Sequence, residues 1–129
     1  DVYLMFEGHI PIYYVVFEAF EDGTYEVLKA TTWIALANHE DLIVEINDEM
    51  LAVEVWNNFY IREEDIKKSV FIGQISNRDM EIIKKYKSGL IEELPLPKRG
   101  LYAVNPTSYQ QLFHKKESEI VEKRKLKIL

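Results

Sequence analysis

Six consecutive apolar residues, Ile12-Tyr13-Tyr14-Val15-Val16-Phe17, set the tightest limit on how this chain can fold. Successive side chains of a strand point to opposite faces, so an unbroken apolar run must bury both. The segment is therefore a central strand, or one covered on both sides. A membrane-spanning helix needs roughly 18 or more apolar residues, and no run in the chain approaches that length.

Further strand signals surround it. Residues 2–6, 12–20, 25–33, 42–46, 50–55 and 70–74 are rich in β-branched and aromatic residues or alternate apolar with polar. Gly8-His9-Ile10-Pro11, Glu21-Asp22-Gly23-Thr24 and Asn47-Asp48-Glu49 supply turns between them. Asn38-His39-Glu40 reads as a solvated loop, Asn57-Asn58 as a turn and residues 62–66 as a single helical turn. One longer helix follows. Ser76 with Asp79 three residues on resembles a capping box, Ile75 and Met80 can staple the first turn, and Gly89 stops the helix near residue 88. Met80, Ile83 and Tyr86 share the face that should meet the strands. The pattern predicts a mainly β, α+β domain. It is read as a small SH3-like barrel over residues 1–94 with a closing helix at about 76–88. A chain of 129 residues suits one such core.

Leu94-Pro95-Leu96-Pro97 and the Gly100 that follows mark the edge of this domain. Beyond it Asn105-Pro106 can open another helix, so residues 95–129 read as a tail that is helical from about 106. The tail reverses the charge of the body. Residues 1–94 hold 19 acidic and 8 basic side chains, a net −11, whereas residues 95–129 hold 3 and 8, a net +5. An acidic body repels nucleic acid within a Debye length, roughly 8–10 Å. A basic tail suits phosphate, an acidic partner or the acidic body itself. There is no cysteine, which removes disulfides, thiolate metal sites and a cysteine nucleophile. That composition fits a reducing compartment. The opening residues have no basic leader before their apolar run, so a cytoplasmic protein without membrane association is expected.

In its order of elements the chain resembles the MazF/PemK toxins, small dimeric ribonucleases built on an SH3-like barrel. Asp1-Val2-Tyr3 is similar to the opening of their first strand, and Ala30-Thr31-Thr32 to the turn that ends their third. Ile72-Gly73-Gln74-Ile75-Ser76-Asn77-Arg78-Asp79-Met80 is similar to the stretch joining their last strand to its helix, and is the most specific of the three. The resemblance covers roughly residues 1–88. It implies a homodimer, a toxin–antitoxin setting with an antitoxin-like partner, and single-stranded RNA as substrate, with no metal or cofactor. It also implies an arginine before Pro11, in a long Gly- and Arg-containing loop. Here the loop is short and Ile10 stands in that place. A guanidinium can hold two phosphate oxygens as charge builds in the transition state, and isoleucine cannot.

His9 is the acid–base candidate that remains, because imidazole titrates near neutral pH; the plainer alternative is an exposed loop histidine. Thr31 and Thr32 match the family's threonine. Trp33 and Trp56, with Phe59 and Tyr60, are candidates to stack bases or grip a peptide, against the alternative of filling a core or dimer face. Lys115, Lys116, Lys123 and Arg124 are candidate phosphate contacts, against the alternative of a solvated helix face. His39, Glu40 and Asp41 are adjacent and so point different ways, which argues against a metal site. His114 reads as an isolated surface residue. The favoured reading is a barrel without ribonuclease activity, acting as a binding or regulatory module. A divergent, metal-independent endoribonuclease and a structural protein with its basic tail docked on the acidic barrel are the alternatives.

Overall fold

The computed structural model describes residues 1–100 and 109–128, and the side chains of these other than 110 and 124–128. Asn105-Pro106 and the side chain of Arg124 lie outside the described residues. Six strands, β1 (Val2–Glu7), β2 (Ile10–Ala19), β3 (Thr24–Thr31), β4 (Asp41–Ile46), β5 (Glu49–Arg62) and β6 (Val70–Gly73), form one antiparallel sheet in the order β4-β5-β3-β2-β1-β6. The helices are α1 (Glu63–Lys67), α2 (Asn77–Lys87) and α3 (Tyr109–Ile128). The sheet curls into a half-barrel, as a mainly β, α+β fold.

Its two edge strands meet at a narrow seam. The Asn47 side-chain amide, in the β4–β5 turn, donates to the Ile72 carbonyl of β6 at 2.8 Å. A Cβ on Gly73 would stand 2.7 Å from the Ile46 side chain, so only glycine lets the edges approach this closely.

Strand β2 lies inside the sheet and is covered on both faces, as its apolar run requires. Tyr13, Val15 and Phe17 join one apolar cluster, with Val44, Leu51 and Ile83. Ile12, Tyr14 and Val16 join the other, with Phe59, Ile61 and Val121. Helix α2 covers the first face. Ser76 Oγ accepts from the Asp79 amide at 3.1 Å, Ile75 and Met80 pack in that cluster, and Gly89 ends the helix. The Asp79 carboxylate pairs with Lys98 instead of closing a full capping box. Helix α3 contributes Val121 and Ile120 to the second face.

Three local readings need correction. Strand β3 ends at Thr31, and Trp33 leads into a 3-10 turn at Ile34–Leu36 instead of closing the strand. Asn57 and Asn58 lie inside β5, not in a turn. Asn38 and Asp41 are buried, because their side chains tie the 38–41 loop to itself: Asp41 Oδ2 accepts from the Asn38 amide and Asn38 Oδ1 from the Glu40 amide.

The extended reach of β5 depends on a large bulge. Leu28 pairs with Asn58 and Ala30 with Val53, so Lys29 alone faces the four residues 54–57. The three extra residues are an odd number, and an odd slip sends following side chains to the opposite face. Leu51, Val53 and Val55 therefore pack under α2, while Phe59 and Ile61 pack on the α3 side.

Residues 95–100 return to the sheet. Arg99 bridges Leu42, and the Gly100 amide donates to the Asp41 carbonyl at 3.3 Å. A side chain on Gly100 would run into the Ala37 and Asn38 backbone. Gly100→Ala should therefore lower stability by about 1–3 kcal/mol, read as a reduced urea midpoint. An unchanged midpoint would show that this return is not packed as described.

Candidate functional site

The bulge is the receptor for α3. Glu54, Trp56 and Asn57 all come from the four residues it extrudes. Lys29 Nζ, opposite them, donates to Glu117 Oε1 of α3 at 2.5 Å, and both side chains are almost fully buried. Asn57 Nδ2 reaches the Glu54 carboxyl at 3.1 Å and the Glu117 backbone carbonyl at 3.2 Å. Trp56 stacks on His114 with ring centroids 3.8 Å apart, and its indole N–H donates to Asp41 Oδ1 at 2.7 Å.

Two carboxyl groups and one ammonium thus share a buried site. Burial pushes Glu54 up to about 10, and its hydrogen bond with Glu117 and that carboxylate's charge reinforce the shift against the opposing pull of Lys29. Glu54 is consequently protonated at neutral pH, beside the Lys29–Glu117 pair. Burial likewise raises Asp41 to about 6, opposed by its bonds from Asn38 and Trp56. His114 is lowered by burial, with His39 adding to the effect and Glu40 opposing it. His114 is thus half-buried in a stack, correcting its reading as an isolated surface residue.

Beside this cluster lies an open cleft of about 350 Å³ between the end of β3 and α3. Pro11 and Tyr13 of β2, Lys29 and Ala30 of β3, and Thr31, Thr32, Trp33 and Leu36 form one side. Phe113, Lys116, Glu117 and Ile120 of α3 form the other. Thr31 Oγ1 accepts from the Trp33 amide at 3.2 Å. Trp33 is 64% exposed at the rim. Lys116 and Lys123 are exposed and seven residues apart, which sets them on one side of the helix with Ile120 between. Neither lysine forms an ion pair among the described residues.

The structure brings Thr31, Thr32, Trp33 and Lys116 together, and separates the other candidates from them. His9 is exposed at the tip of the two-residue β1–β2 hairpin and does not line the cleft. Gly8 takes φ +63° there, which permits so tight a connection. Trp56 faces His114 and Asp41 elsewhere on the bulge. Lys115 is exposed and does not line the cleft. Phe59 is core, and Tyr60 lies against Phe20. Asp41 turns toward Trp56 while Glu40 accepts from the Tyr86 hydroxyl at 3.3 Å, so adjacent acidic groups diverge.

Lys29, Glu54 and Glu117 were missed because each looks ordinary in its own segment. The available signal was a charged residue where a strand otherwise reads as apolar, as in Val27-Leu28-Lys29-Ala30 and Leu51-Ala52-Val53-Glu54-Val55. No protein family, curated protein or solved structure matches the chain.

The Glu54 shift has a definite sign. The folded chain keeps a proton that the unfolded chain releases from about pH 4.5 upward. This group's stabilising contribution is therefore complete below about 4.5 and is lost progressively as pH rises toward about 10. Glu54→Gln keeps an acceptor for Asn57 and a donor for Glu117 without titrating. In urea unfolding the variant should gain on the wild type by ~1 kcal/mol or more between mildly acidic and mildly alkaline pH. Parallel pH profiles for the two proteins would contradict a protonated Glu54.

Proposed function

We propose that this chain is a MazF/PemK-like binding module that holds single-stranded RNA in the β3–α3 cleft and does not cleave it. The observation that carries the reading is the state of the cleft's own charges. Lys29 and Glu117 engage each other, and His9 is elsewhere, so among the described residues neither is poised as an acid–base group on a ligand. What faces the cleft is an exposed indole, two threonine side chains, apolar walls and the exposed ammonium of Lys116. An aromatic plate stacks a base of any sequence, and lysines spaced along a helix follow phosphates.

The resemblance supports the same reading. Its motifs include the Ala30-Thr31-Thr32 turn at the end of β3, while Ile10 occupies the place of the phosphate-binding arginine. The acidic body opposes RNA at long range, and Lys116 and Lys123 supply the local attraction. A divergent endoribonuclease is the second reading, favoured by the presence of both threonines beside a lysine and a glutamate in one cleft.

Fluorescence anisotropy with a labelled single-stranded RNA tests the proposal. Binding should weaken about tenfold or more in Trp33→Ala, consistent with roughly 1–3 kcal/mol for one stacked base. The RNA should remain intact on a denaturing gel after prolonged incubation. Cleavage that disappears in Thr31→Ala or Thr32→Ala would replace this reading with the nuclease. Absence of binding would reject both.

A further inference from the structure

We infer that Lys29 is the cleft's deep phosphate ligand and that Glu117 holds its place in the free chain. RNA would then enter by exchanging with Glu117 and loosening α3. This rests on the cleft being the RNA site, and it goes further by naming a buried residue and a regulatory step.

Lys29 is almost fully buried, yet both it and Glu117 line the cleft. The carboxylate that satisfies it comes from the helix forming the opposite wall. A ligand phosphate presents the same anionic oxygens and could take over that bond. Removal of Glu117 without replacement would strand a buried ammonium, which is strongly unfavourable. An incoming anion removes that penalty, so opening is coupled to anionic ligands in particular.

The rest of the cluster is built to tolerate the exchange. Glu54 is already neutral, so it adds no repulsion to an arriving phosphate. Asn57 holds the Glu117 backbone carbonyl and not its carboxylate. The side chain can therefore leave before the helix backbone does. Outside the cluster, Trp56 on His114 and the apolar contacts of Val121 keep α3 from leaving altogether, so loss of the Glu117 bond loosens the helix without releasing it.

The test uses the full chain and the paired variant Lys29→Gln/Glu117→Gln, which removes both charges together and leaves no orphan. Replacing a buried ion pair by neutral groups commonly preserves folding, and circular dichroism checks it. The probe is a labelled single-stranded RNA, titrated at several salt concentrations. The paired variant should bind at least tenfold more weakly, with a salt dependence reduced by about one phosphate contact. Equal affinity and equal salt dependence would make Lys29 purely structural and overturn the inference, while RNA binding by the wild type would leave the proposed function intact. If the wild type binds no RNA, both fail together.

Amide exchange on the wild type reads the second half independently of any variant. Saturating RNA should accelerate exchange around residues 113–121. Slower or unchanged exchange there would mean that RNA clamps α3 or ignores it, and would overturn the displacement step. Should the paired variant fail to fold, the comparison moves to Lys29→Met/Glu117→Leu, an apolar pair of similar volume that likewise leaves no buried charge alone. It should lose the same tenfold or more in affinity. Affinity equal to that of the wild type would equally count against the inference.

Discussion

The contact on which the rest of the molecule turns is the ion pair between Lys29 and Glu117. It joins the middle of the sheet to a helix far away in sequence, inside a region that excludes water. A buried pair of this kind contributes little net stability, because desolvating both ions offsets their attraction. Its effect is positional: only one docking of α3 leaves neither ion alone. The apolar contacts of Val121 and Ile120 supply attraction, while the ion pair and the Asn57 bonds fix register.

The bulge in β5 makes that contact possible. A regular ladder would place a single residue opposite Lys29. Here four residues do so, and they supply a proton-bearing carboxyl, an amide and an indole to the same helix. The odd number of inserted residues also lets one strand serve two cores, first the face under α2 and then the face under α3. The docked helix in turn creates the cleft, since Phe113, Lys116, Glu117 and Ile120 of α3 form its second side. The tail is basic overall, yet its deepest charge contact is made by an acid. Lys115, Lys116 and Lys123 stay outside, and Lys116 lines the cleft.

Much of the barrel was legible in the sequence because it follows from local rules. The two-sided burial of β2 follows from six apolar residues in a row, and the start of α2 from Ser76. Thr31, Thr32, Trp33 and Lys116 were each picked out by chemistry, and they do meet. The bulge was not legible. Trp56-Asn57-Asn58 has the composition of a turn, and long-range partners, Glu117 for Asn57 and Glu26 for Asn58, help hold the two asparagines in the strand. The Lys29–Glu54–Glu117 cluster escaped for the same reason. Its members lie far apart in sequence, and neither spacing nor propensity reports a bond between them. His9 failed as a site residue because the tight Gly8 turn carries it to the hairpin tip, away from the cleft.

Glu54 holds a proton at neutral pH inside the buried site it shares with Lys29 and Glu117. Infrared difference spectroscopy on isotope-edited protein reads that proton directly. At neutral pH the wild type should show the carbonyl stretch of a protonated carboxyl, and this band should be absent in Glu54→Gln. A wild-type spectrum at neutral pH containing only ionised carboxylates would contradict the account, because Glu54 and Glu117 would then both be charged beside one lysine.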